Sequence, residues 1–216
     1  MISWQNLETV LLDLDGTLLD LHYDNHFWLE HVPRRYAEKY GLSSETARDE
    51  LMSRYKKVEG TLDWYCVDYW TQELGLDIPV LKQEVDHLIA IHPHVIEFLD
   101  AVRNLKKRIV LVTNAHGKAL DIKFRRTQLG GRFDAVVCAH DLGLPKEYPD
   151  FWEKMQHVQP FDKKRTLLID DSLPVLRSAH NYGIAQLLAV KNPDSKKPEK
   201  DAEEFQAIQT FLDIMP

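Results

Sequence analysis

Two aspartates one residue apart, Asp13 and Asp15, follow a short apolar run near the start of the chain. At about 4 Å and an effective dielectric constant of about 20, two like charges repel each other by roughly 4 kcal/mol. A divalent cation offsets this repulsion and keeps both carboxylates ionised. Gly16 and Thr17 come directly after the pair. The spacing predicts a metal site at the carboxyl end of a buried strand, where open α/β sheets bind ligands.

Polar residues of complementary types follow other apolar segments of the chain. Thr113 and Asn114 offer a hydroxyl, an amide and backbone N–H groups. Lys146 lies in a loop with glycine and proline, and a lysine binds phosphate as a point charge. Asp170 and Asp171 form a second acidic pair. Carboxylates, water and phosphate oxygens are the ligands that Mg²⁺ prefers, so one sheet edge would hold the parts of a magnesium and phosphate site.

Short apolar runs closed by polar or turn residues predict the buried parallel strands that position these groups. They span Thr9–Leu14, Arg108–Thr113, Ala135–Cys138, Thr166–Ile169 and Gln186–Val190. Helical patterns are predicted at Pro93–Leu105, Lys118–Leu129, Pro149–His157, Leu173–Tyr182 and, as a last amphipathic helix, about Ala202–Ile214. Alternating strands and helices indicate an α/β fold with a Rossmann-like, doubly wound parallel sheet.

The interval from about Leu19 to Ile91 breaks this alternation because it contains no convincing strand. Its predicted helical stretches, separated by glycines, are Asn25–Tyr40, Ser44–Val58, Leu62–Leu74 and Pro79–Ile91. We expect residues 19–91 to form an α-helical subdomain inserted into an α/β core of residues 1–18 and 92–216. The hinges are expected near Leu19–Tyr23 and Ile91–Pro93. A later segment, Asn192–Lys200, is predicted to be a solvated loop.

Composition limits the partners and the compartment. The 216 residues carry a formal net charge of −7, so no basic field favours a nucleic acid polymer or an anionic membrane. No apolar stretch approaches the ~18 residues of a membrane span, and the N-terminus does not resemble a signal peptide. The two cysteines, Cys66 and Cys138, fit a reducing compartment better than a disulfide framework. We expect a soluble, cytoplasmic protein, and the sequence does not indicate its oligomeric state.

Taken in order, four motifs resemble the signature motifs of the haloacid dehalogenase (HAD) superfamily. They are Asp13-Leu14-Asp15-Gly16-Thr17, Thr113, Lys146 and Asp170-Asp171. The helical insert resembles that superfamily's type 1 cap. Longer strings at residues 20–28, 63–70, 113–116 and 192–195 resemble the bacterial GMP/IMP 5′-nucleotidase branch. One departure is Glu147, which occupies the position after the lysine where the superfamily commonly has proline.

The resemblance implies catalysis through an aspartyl-phosphate intermediate. Asp13 is the implied nucleophile. Asp15 is the implied general acid and later base, a role that requires a raised pKa. Thr113 and backbone groups near Asn114 would bind the transferring oxygens, and Lys146 would neutralise the charge of the intermediate.

The resemblance also implies a Mg²⁺ cofactor. The implied ligands are Asp13, the backbone carbonyl of Asp15 and one aspartate of the pair at 170 and 171. Asp171 is favoured as the direct ligand and Asp170 as its support, although the choice between them stays open. A helix N-cap, worth ~1 kcal/mol, is the alternative role for this pair.

The implied substrate is a purine 5′-nucleotide, IMP or GMP. Gly16 and Asn114 are expected beside its phosphate. Asp24 and Asn25, just past the first hinge and followed by His26, could bind a 6-oxopurine edge. Aromatic residues at helical spacing in the insert are more typical of a core, although one or two of them could stack on the base: Trp28, Trp64, Tyr65, Tyr69 and Trp70.

Other functions stay open from the sequence. A sugar phosphate or phosphoglycolate could replace the nucleotide in the same chemistry. A metal-independent haloacid dehalogenase would share the nucleophile, but it would not need Asp15. A non-catalytic phospho-acceptor module would not need the helical insert. A zinc site at His92 and His94 has no third ligand at suitable spacing, and His116 either touches substrate or begins a helix.

Overall fold

Six parallel strands form one sheet, with the first strand near its centre. The computed structural model describes residues 2–216. The strands are β1 (Thr9–Leu12), β2 (Arg108–Thr113), β3 (Ala135–Cys138), β4 (Thr166–Asp170), β5 (Gln186–Val190) and β6 (Ala207–Ile208). Their spatial order is β3-β2-β1-β4-β5-β6, and every neighbouring pair is parallel. This order is typical of the doubly wound fold and confirms the predicted fold class.

The helices fall into two groups along the chain. Those between β1 and β2 that belong to the insert are α1 (His22–His26), α2 (Val32–Tyr40), α3 (Ser44–Val58), α4 (Leu62–Tyr65), α5 (Val67–Leu74) and α6 (Ile78–Glu84). Those that accompany the sheet are α7 (Val95–Asn104), α8 (Gly117–Thr127), α9 (Ala139–Leu142), α10 (Pro149–Val158) and α11 (Leu173–Tyr182). None of the helices found in residues 2–216 is long and apolar enough to cross a membrane.

Both faces of the sheet are covered, which explains why β1 is buried throughout. Val10 and Leu12 belong to the apolar cluster that includes α7, α8 and much of the insert. Leu11 points to the other face and belongs to the cluster with α10 and α11. The central strand is therefore a nearly continuous apolar run, and the first carboxylate, Asp13, comes directly after it ends.

The C-terminal segment differs from the prediction. The predicted amphipathic helix at Ala202–Ile214 is wrong, because β6 and a 3₁₀ turn, Phe211–Ile214, occupy that stretch. β6 pairs with the free edge of β5, and Phe211 packs on Phe98 with 4.8 Å between ring centroids. An edge strand obtains its hydrogen bonds from a neighbouring strand, here 18 residues earlier in the chain, and local periodicity does not reveal that partner.

The helices of the insert also differ from their predicted bounds. The first begins at His22 instead of Asn25 and contains a π-helical turn at Phe27–His31 between α1 and α2. The predicted helix Leu62–Leu74 is interrupted at Cys66, whose backbone is extended and whose sulfur accepts a hydrogen bond from the Tyr69 N–H. The last helix, α6, ends at Glu84.

The two chain crossings between the sheet and residues 19–91, which we call the cap, lie side by side. Leu19 and Ile91 form an antiparallel bridge, and the His92 N–H donates to the Leu18 carbonyl at 2.9 Å. Paired backbone on both crossings gives the cap a short, defined connection to the sheet.

The segment Asn192–Lys200 is not wholly the solvated loop that we predicted. Pro193 and Asp194 are buried, and the Pro193 carbonyl accepts a hydrogen bond from the Leu21 N–H at 2.8 Å. Asp194 also accepts one from Asn25 Nδ2 at 2.7 Å. This loop therefore packs against the first crossing of the chain into the cap.

Candidate active site

Three carboxylates meet at the carboxyl ends of β1 and β4. The two strands are neighbours, with Leu12 opposite Ile169, so Asp13 and Asp170 follow in adjacent positions. Asp13, Asp170 and Asp171 each offer an oxygen within 4.8 Å of the others, and all three are buried. Burial, opposed by Lys146 and reinforced by the neighbouring carboxylates, raises the pKa of Asp13 to about 7 and that of Asp170 to about 6. Burial and the charge of Asp13 likewise raise the pKa of Asp171 to about 6.

Lys146 is the buried counter-charge of this cluster. Its Nζ lies 2.5 Å from Asp13 Oδ1 and 2.6 Å from Asp170 Oδ2, and it also donates to the Val112 carbonyl at 3.0 Å. The second oxygen of Asp170 accepts from the Ser172 N–H at 3.0 Å. Both oxygens of Asp170 are therefore engaged by the protein. The Asp171 carboxylate is less engaged, with Lys200 Nζ 3.6 Å from its Oδ2.

Unpartnered oxygens remain in the cluster. In the described part of the chain, Asp13 Oδ2, Asp15 Oδ1 and Thr17 Oγ1 are buried and have no hydrogen-bond partner. Buried polar atoms without partners are unusual in folded proteins and call for a ligand or water. A set made of carboxylate oxygens suits Mg²⁺ better than a soft metal. The residues therefore fit a magnesium ion.

Gly16 allows the chain to turn closely over Asp171. Its φ is +88°, a conformation that favours glycine, and a Cβ atom at this position would lie 2.8 Å from Asp171 Cγ. Any side chain here would have to push the Asp171 carboxylate out of the cluster.

Thr113 and Asn114, at the end of β2, reach the same site. The Thr113 hydroxyl accepts from the Ala115 N–H at 3.0 Å, and Asn114 Oδ1 accepts from the Lys146 N–H at 2.9 Å. Asn114 Nδ2 donates to Glu147 Oε2 at 3.0 Å. From the cap, the Tyr65 hydroxyl donates to Glu147 Oε1 at 2.5 Å. Glu147, which stands where the superfamily commonly has proline, therefore joins the cap to the loop that carries Lys146.

A second buried ion cluster surrounds Asp15. Lys123 Nζ, from α8, lies 2.7 Å from Asp15 Oδ2 and 2.7 Å from Asp24 Oδ2. Lys82 Nζ, from α6, lies 3.0 Å from Asp24 Oδ1. Lys82 Nζ also lies 4.2 Å from the centre of the Phe27 ring, a cation–π contact. The chain Asp15–Lys123–Asp24–Lys82 crosses from the sheet into the cap.

The two carboxyls of this second cluster have opposite pKa shifts. Burial raises the pKa of Asp15, even though Lys123 opposes the effect. For Asp24, the charges of Lys123 and Lys82 overcome burial and hold its pKa at about 2. Asp24 is therefore the firmly ionised partner of both lysines, whereas burial shifts the pKa of Asp15 towards the protonated form.

Sequence reasoning did not assign Lys82 and Lys123, although a signal was present. Lys82 occupies an apolar stripe at helical spacing with Ile78, Leu81 and Val85, and all four side chains are buried. Lys and Arg are almost never fully buried unless they are paired. A lysine at a core-facing position of a helix therefore indicates an ion pair inside the fold.

A cavity of about 510 Å³ lies between the cap and these clusters. This volume is in the range of about 300–1,000 Å³ that is typical of small-molecule sites. Asp13, Asp15 and Thr113 lie on the sheet side, and Trp28 and Trp64 lie on the cap side. Of the other predicted base-binding residues, Asp24 is held by two lysines and Asn25 donates to Asp194, although both line the cavity.

The aromatic residues of the cap also pack against one another. Trp70 is buried, and its indole N–H donates to the Trp64 carbonyl at 2.9 Å. Tyr69 packs edge-on against Trp70 with 5.0 Å between ring centroids. Trp28 packs edge-on against Phe27 at 4.8 Å. These contacts hold the aromatic wall of the cavity in place.

The chain is similar to known proteins over nearly its whole length. A family model described as haloacid dehalogenase-like hydrolase matches residues 10–189. The chain is 38% identical over 215 residues to the GMP/IMP nucleotidase YrfG of Escherichia coli (strain K12), covering 100% of this chain and 97% of that protein. A solved HAD phosphatase from Thermococcus onnurineus superposes with a TM-score of 0.81 at 21% identity, covering 96% of both chains. The magnesium-bound HAD-hydrolase YfnB of Bacillus subtilis gives a TM-score of 0.62 at 18% identity, also over 96% of both chains.

Replacing Gly16 by alanine is expected to weaken Mg²⁺ binding, because the new Cβ would displace the Asp171 carboxylate. The positive φ adds a backbone cost of about 1–2 kcal/mol. Isothermal titration calorimetry with Mg²⁺ and urea unfolding measure the two effects. Gly117→Ala is the matched control, since nothing lies within 4 Å of its Cβ position. Unchanged Mg²⁺ affinity in Gly16→Ala would contradict this account of the turn.

Replacing Asp24 by asparagine is expected to lower the free energy of unfolding by about 2 kcal/mol or more at pH 7. A pKa lowered from 3.8 to about 2 corresponds to about 2 kcal/mol of stabilisation. That stabilisation is fully present above pH 3.8 and is lost as the pH falls towards 2. The stability gap between the wild type and the variant should therefore narrow between pH 5 and pH 3 in urea unfolding.

Asp100→Asn is the control for this experiment, because Asp100 pairs with Arg132 at an exposed surface. Exposed pairs contribute about 0–1 kcal/mol, so a small and nearly constant change is expected. A gap for Asp24→Asn that stays the same from pH 5 to pH 3 would contradict the assignment of Asp24 as the ionised centre.

Proposed function

This chain belongs to the haloacid dehalogenase-like hydrolases, and on that premise we propose that it is a Mg²⁺-dependent phosphomonoesterase acting on purine nucleoside 5′-monophosphates. The products would be a nucleoside and inorganic phosphate. The observation that carries the proposal is the pair of carboxyls Asp13 and Asp15, each with one buried and unpartnered oxygen facing a shared cavity.

Asp13 is the proposed nucleophile. Lys146 holds one of its oxygens at 2.5 Å and leaves Oδ2 free to attack phosphorus. The P–O bond to the nucleoside breaks as the aspartyl–phosphate bond forms, and water later cleaves that intermediate to phosphate. The ammonium group of Lys146 and the hydroxyl of Thr113 are positioned to stabilise charge on the transferring oxygens.

Asp15 is the proposed general acid and base. A general acid must hold a proton near neutral pH, and burial raises the pKa of Asp15 in the required direction. Lys123 binds its Oδ2 and so orients the carboxyl, while Oδ1 stays free for the leaving oxygen. After the nucleoside departs, the ionised Asp15 can accept a proton from the attacking water.

The proposed Mg²⁺ ligands are Asp13, the backbone carbonyl of Asp15 and Asp171. When bound, the ion would neutralise phosphate charge and orient the ester. Asp170 supports the site differently, because both of its oxygens are taken by Lys146 and the Ser172 N–H. The proposed role of Asp170 is to hold Lys146 and the turn after β4 in position, and Gly16 makes room for Asp171.

Two observations support a purine nucleotide as the substrate. The chain is 38% identical over its full length to a GMP/IMP nucleotidase. The cap side of the cavity carries Trp28 and Trp64, and stacking of a base on an aromatic ring contributes about 1–3 kcal/mol. Asn114, at the end of β2, and Gly16, in the turn after β1, would flank the phosphate. Asp24 and Asn25 line the same cavity and would shape its cap side.

A panel of phosphomonoesters tests this proposal directly. Purified protein should release phosphate from IMP and GMP faster than from sugar phosphates or phosphoglycolate. EDTA should abolish turnover and Mg²⁺ should restore it. Asp13→Asn should lose activity by several orders of magnitude while keeping its thermal unfolding midpoint. A preference for a sugar phosphate would reject the nucleotide assignment, and turnover in EDTA would reject the role of the metal.

Asp15→Asn should slow the reaction most for esters with poor leaving groups. Loss of a general acid typically costs roughly 10²–10⁴-fold in rate. An aryl phosphate with an acidic phenol needs little protonation, so its rate of aspartyl-phosphate formation should fall much less than that of IMP. Single-turnover rates for both substrates make the comparison. An equal loss for both would contradict the assignment of Asp15.

A further inference from the structure

Three side chains that favour soft metals meet at the boundary between the cap and the sheet. Cys66, His116 and His140 each offer a ligand atom within 4.8 Å of the other two. They share no residue with the carboxylate cluster of Asp13, Asp170 and Asp171. The proposed phosphatase chemistry uses none of the three.

The three residues come from different elements, so their proximity results from the tertiary fold. Cys66 lies in the extended break between α4 and α5, within the cap. His116 precedes α8, and His140 lies in α9 directly after β3. One ligand therefore belongs to the cap and two belong to the core.

His140 is a buried imidazole that is well suited to bind a metal ion. Both of its ring nitrogens are buried, and neither has a hydrogen-bond partner within residues 2–216. Burial and the neighbouring His116 lower the pKa of His140 to about 4, so its imidazole is neutral and can coordinate a metal. Buried polar atoms of native proteins are nearly always satisfied, and a metal ion would satisfy one of these two nitrogens.

Cys66 and His116 are oriented by the ends of their helices. The Cys66 sulfur accepts the Tyr69 N–H at 3.4 Å at the start of α5, which fixes the position of the sulfur beside the two histidines. The ring of His116 meets that of His140 edge-on, with 4.8 Å between centroids. His116 Nδ1 accepts the Lys118 N–H at 3.3 Å. Coordination through Nε2 would place the ring proton on Nδ1, so this long hydrogen bond would be given up when the ion binds.

We propose that Cys66, His116 and His140 bind one Zn²⁺ ion that joins the cap to the core. One thiolate and two imidazoles suit Zn²⁺ and exclude Mg²⁺, which prefers oxygen ligands. Asp63, Asp68 and Asp141 add negative charge around the two histidines. Binding would transfer the thiol proton of Cys66 to solvent. Three protein ligands leave the fourth position of a tetrahedral ion for water.

This site would clamp the cap, because the ion has ligands on both sides of the boundary. Anything that binds the folded state alone stabilises it, so Zn²⁺ should raise the unfolding midpoint. The inference rests on these three side chains and does not depend on the proposed phosphatase function.

The test is the zinc content of the reduced, full-length protein after dialysis against Zn²⁺ in excess Mg²⁺. The wild type should retain one Zn²⁺ per chain by mass spectrometry of the metal. Cys66→Ser should lose it, and His140→Gln should bind it at least tenfold more weakly. Cys138→Ser is the matched control, since the Cys138 thiol is buried and donates to the Ala115 carbonyl. Asp171→Asn, on the carboxylate cluster, should also retain the ion.

Co²⁺ provides a second readout that reports the sulfur ligand itself. The wild type and Cys138→Ser should show a thiolate-to-Co²⁺ charge-transfer band in the near ultraviolet, and Cys66→Ser should not. A wild-type chain without zinc, or zinc retained by Cys66→Ser, would overturn the proposal. Zinc lost in Asp171→Asn would assign the ion to the carboxylates and also overturn it. Circular dichroism of each variant establishes that it is folded.

Discussion

The mutual repulsion of buried carboxylates at one edge of the sheet is the constraint on which the rest of the structure depends. Asp13, Asp170 and Asp171 lie so close together that burial and like charge raise the pKa of each. Such a cluster is stable only with positive charge beside it. Lys146 supplies part of that positive charge. Asp13 Oδ2, which has no hydrogen-bond partner within residues 2–216, is available to bind a cation that supplies more. The negative charge that destabilises the fold at this edge of the sheet also favours the binding of a cation, and a bound cation favours the binding of a phosphate ester.

A second balance of charge links this chemistry to the cap. Lys123 binds both Asp15 of the sheet side and Asp24 of the cap, and Lys82 completes the neutrality of the group. Loss of Lys123 would leave both carboxylates without this partner, so one side chain supports both the docking of the cap and the orientation of Asp15. Glu147 makes a second link through Tyr65 and Asn114. The cap is therefore connected to the proposed acid and to the loop of Lys146 by separate polar contacts.

The pattern of apolar and polar residues predicts most of the strands and helices, but not the C-terminal edge strand or the loop before it. The strands at the centre of the sheet are continuous apolar runs, and their polar ends carry the residues of the site. The C-terminal helix was wrong because β6 exists only by pairing with β5. The sequence predicts a solvated loop at Asn192–Lys200, but Asp194 within it is buried and accepts a hydrogen bond from Asn25. The partner of β6 lies 18 residues earlier in the chain, and Asp194 contacts a residue 169 positions away, so neither contact is visible in a local pattern.

The sequence alone determined the fold class and the identity of the acidic and basic residues at the strand ends, because apolar periodicity and turn residues act over a few neighbouring positions. Only the tertiary structure decided which charges neutralise one another. Lys123 reaches Asp24 across 99 residues of sequence and Lys82 reaches it across 58. The tertiary structure also places Cys66 close to His116 and His140. These contacts depend on how the cap packs on the sheet. Patterns among neighbouring residues do not determine how two parts of a fold pack together.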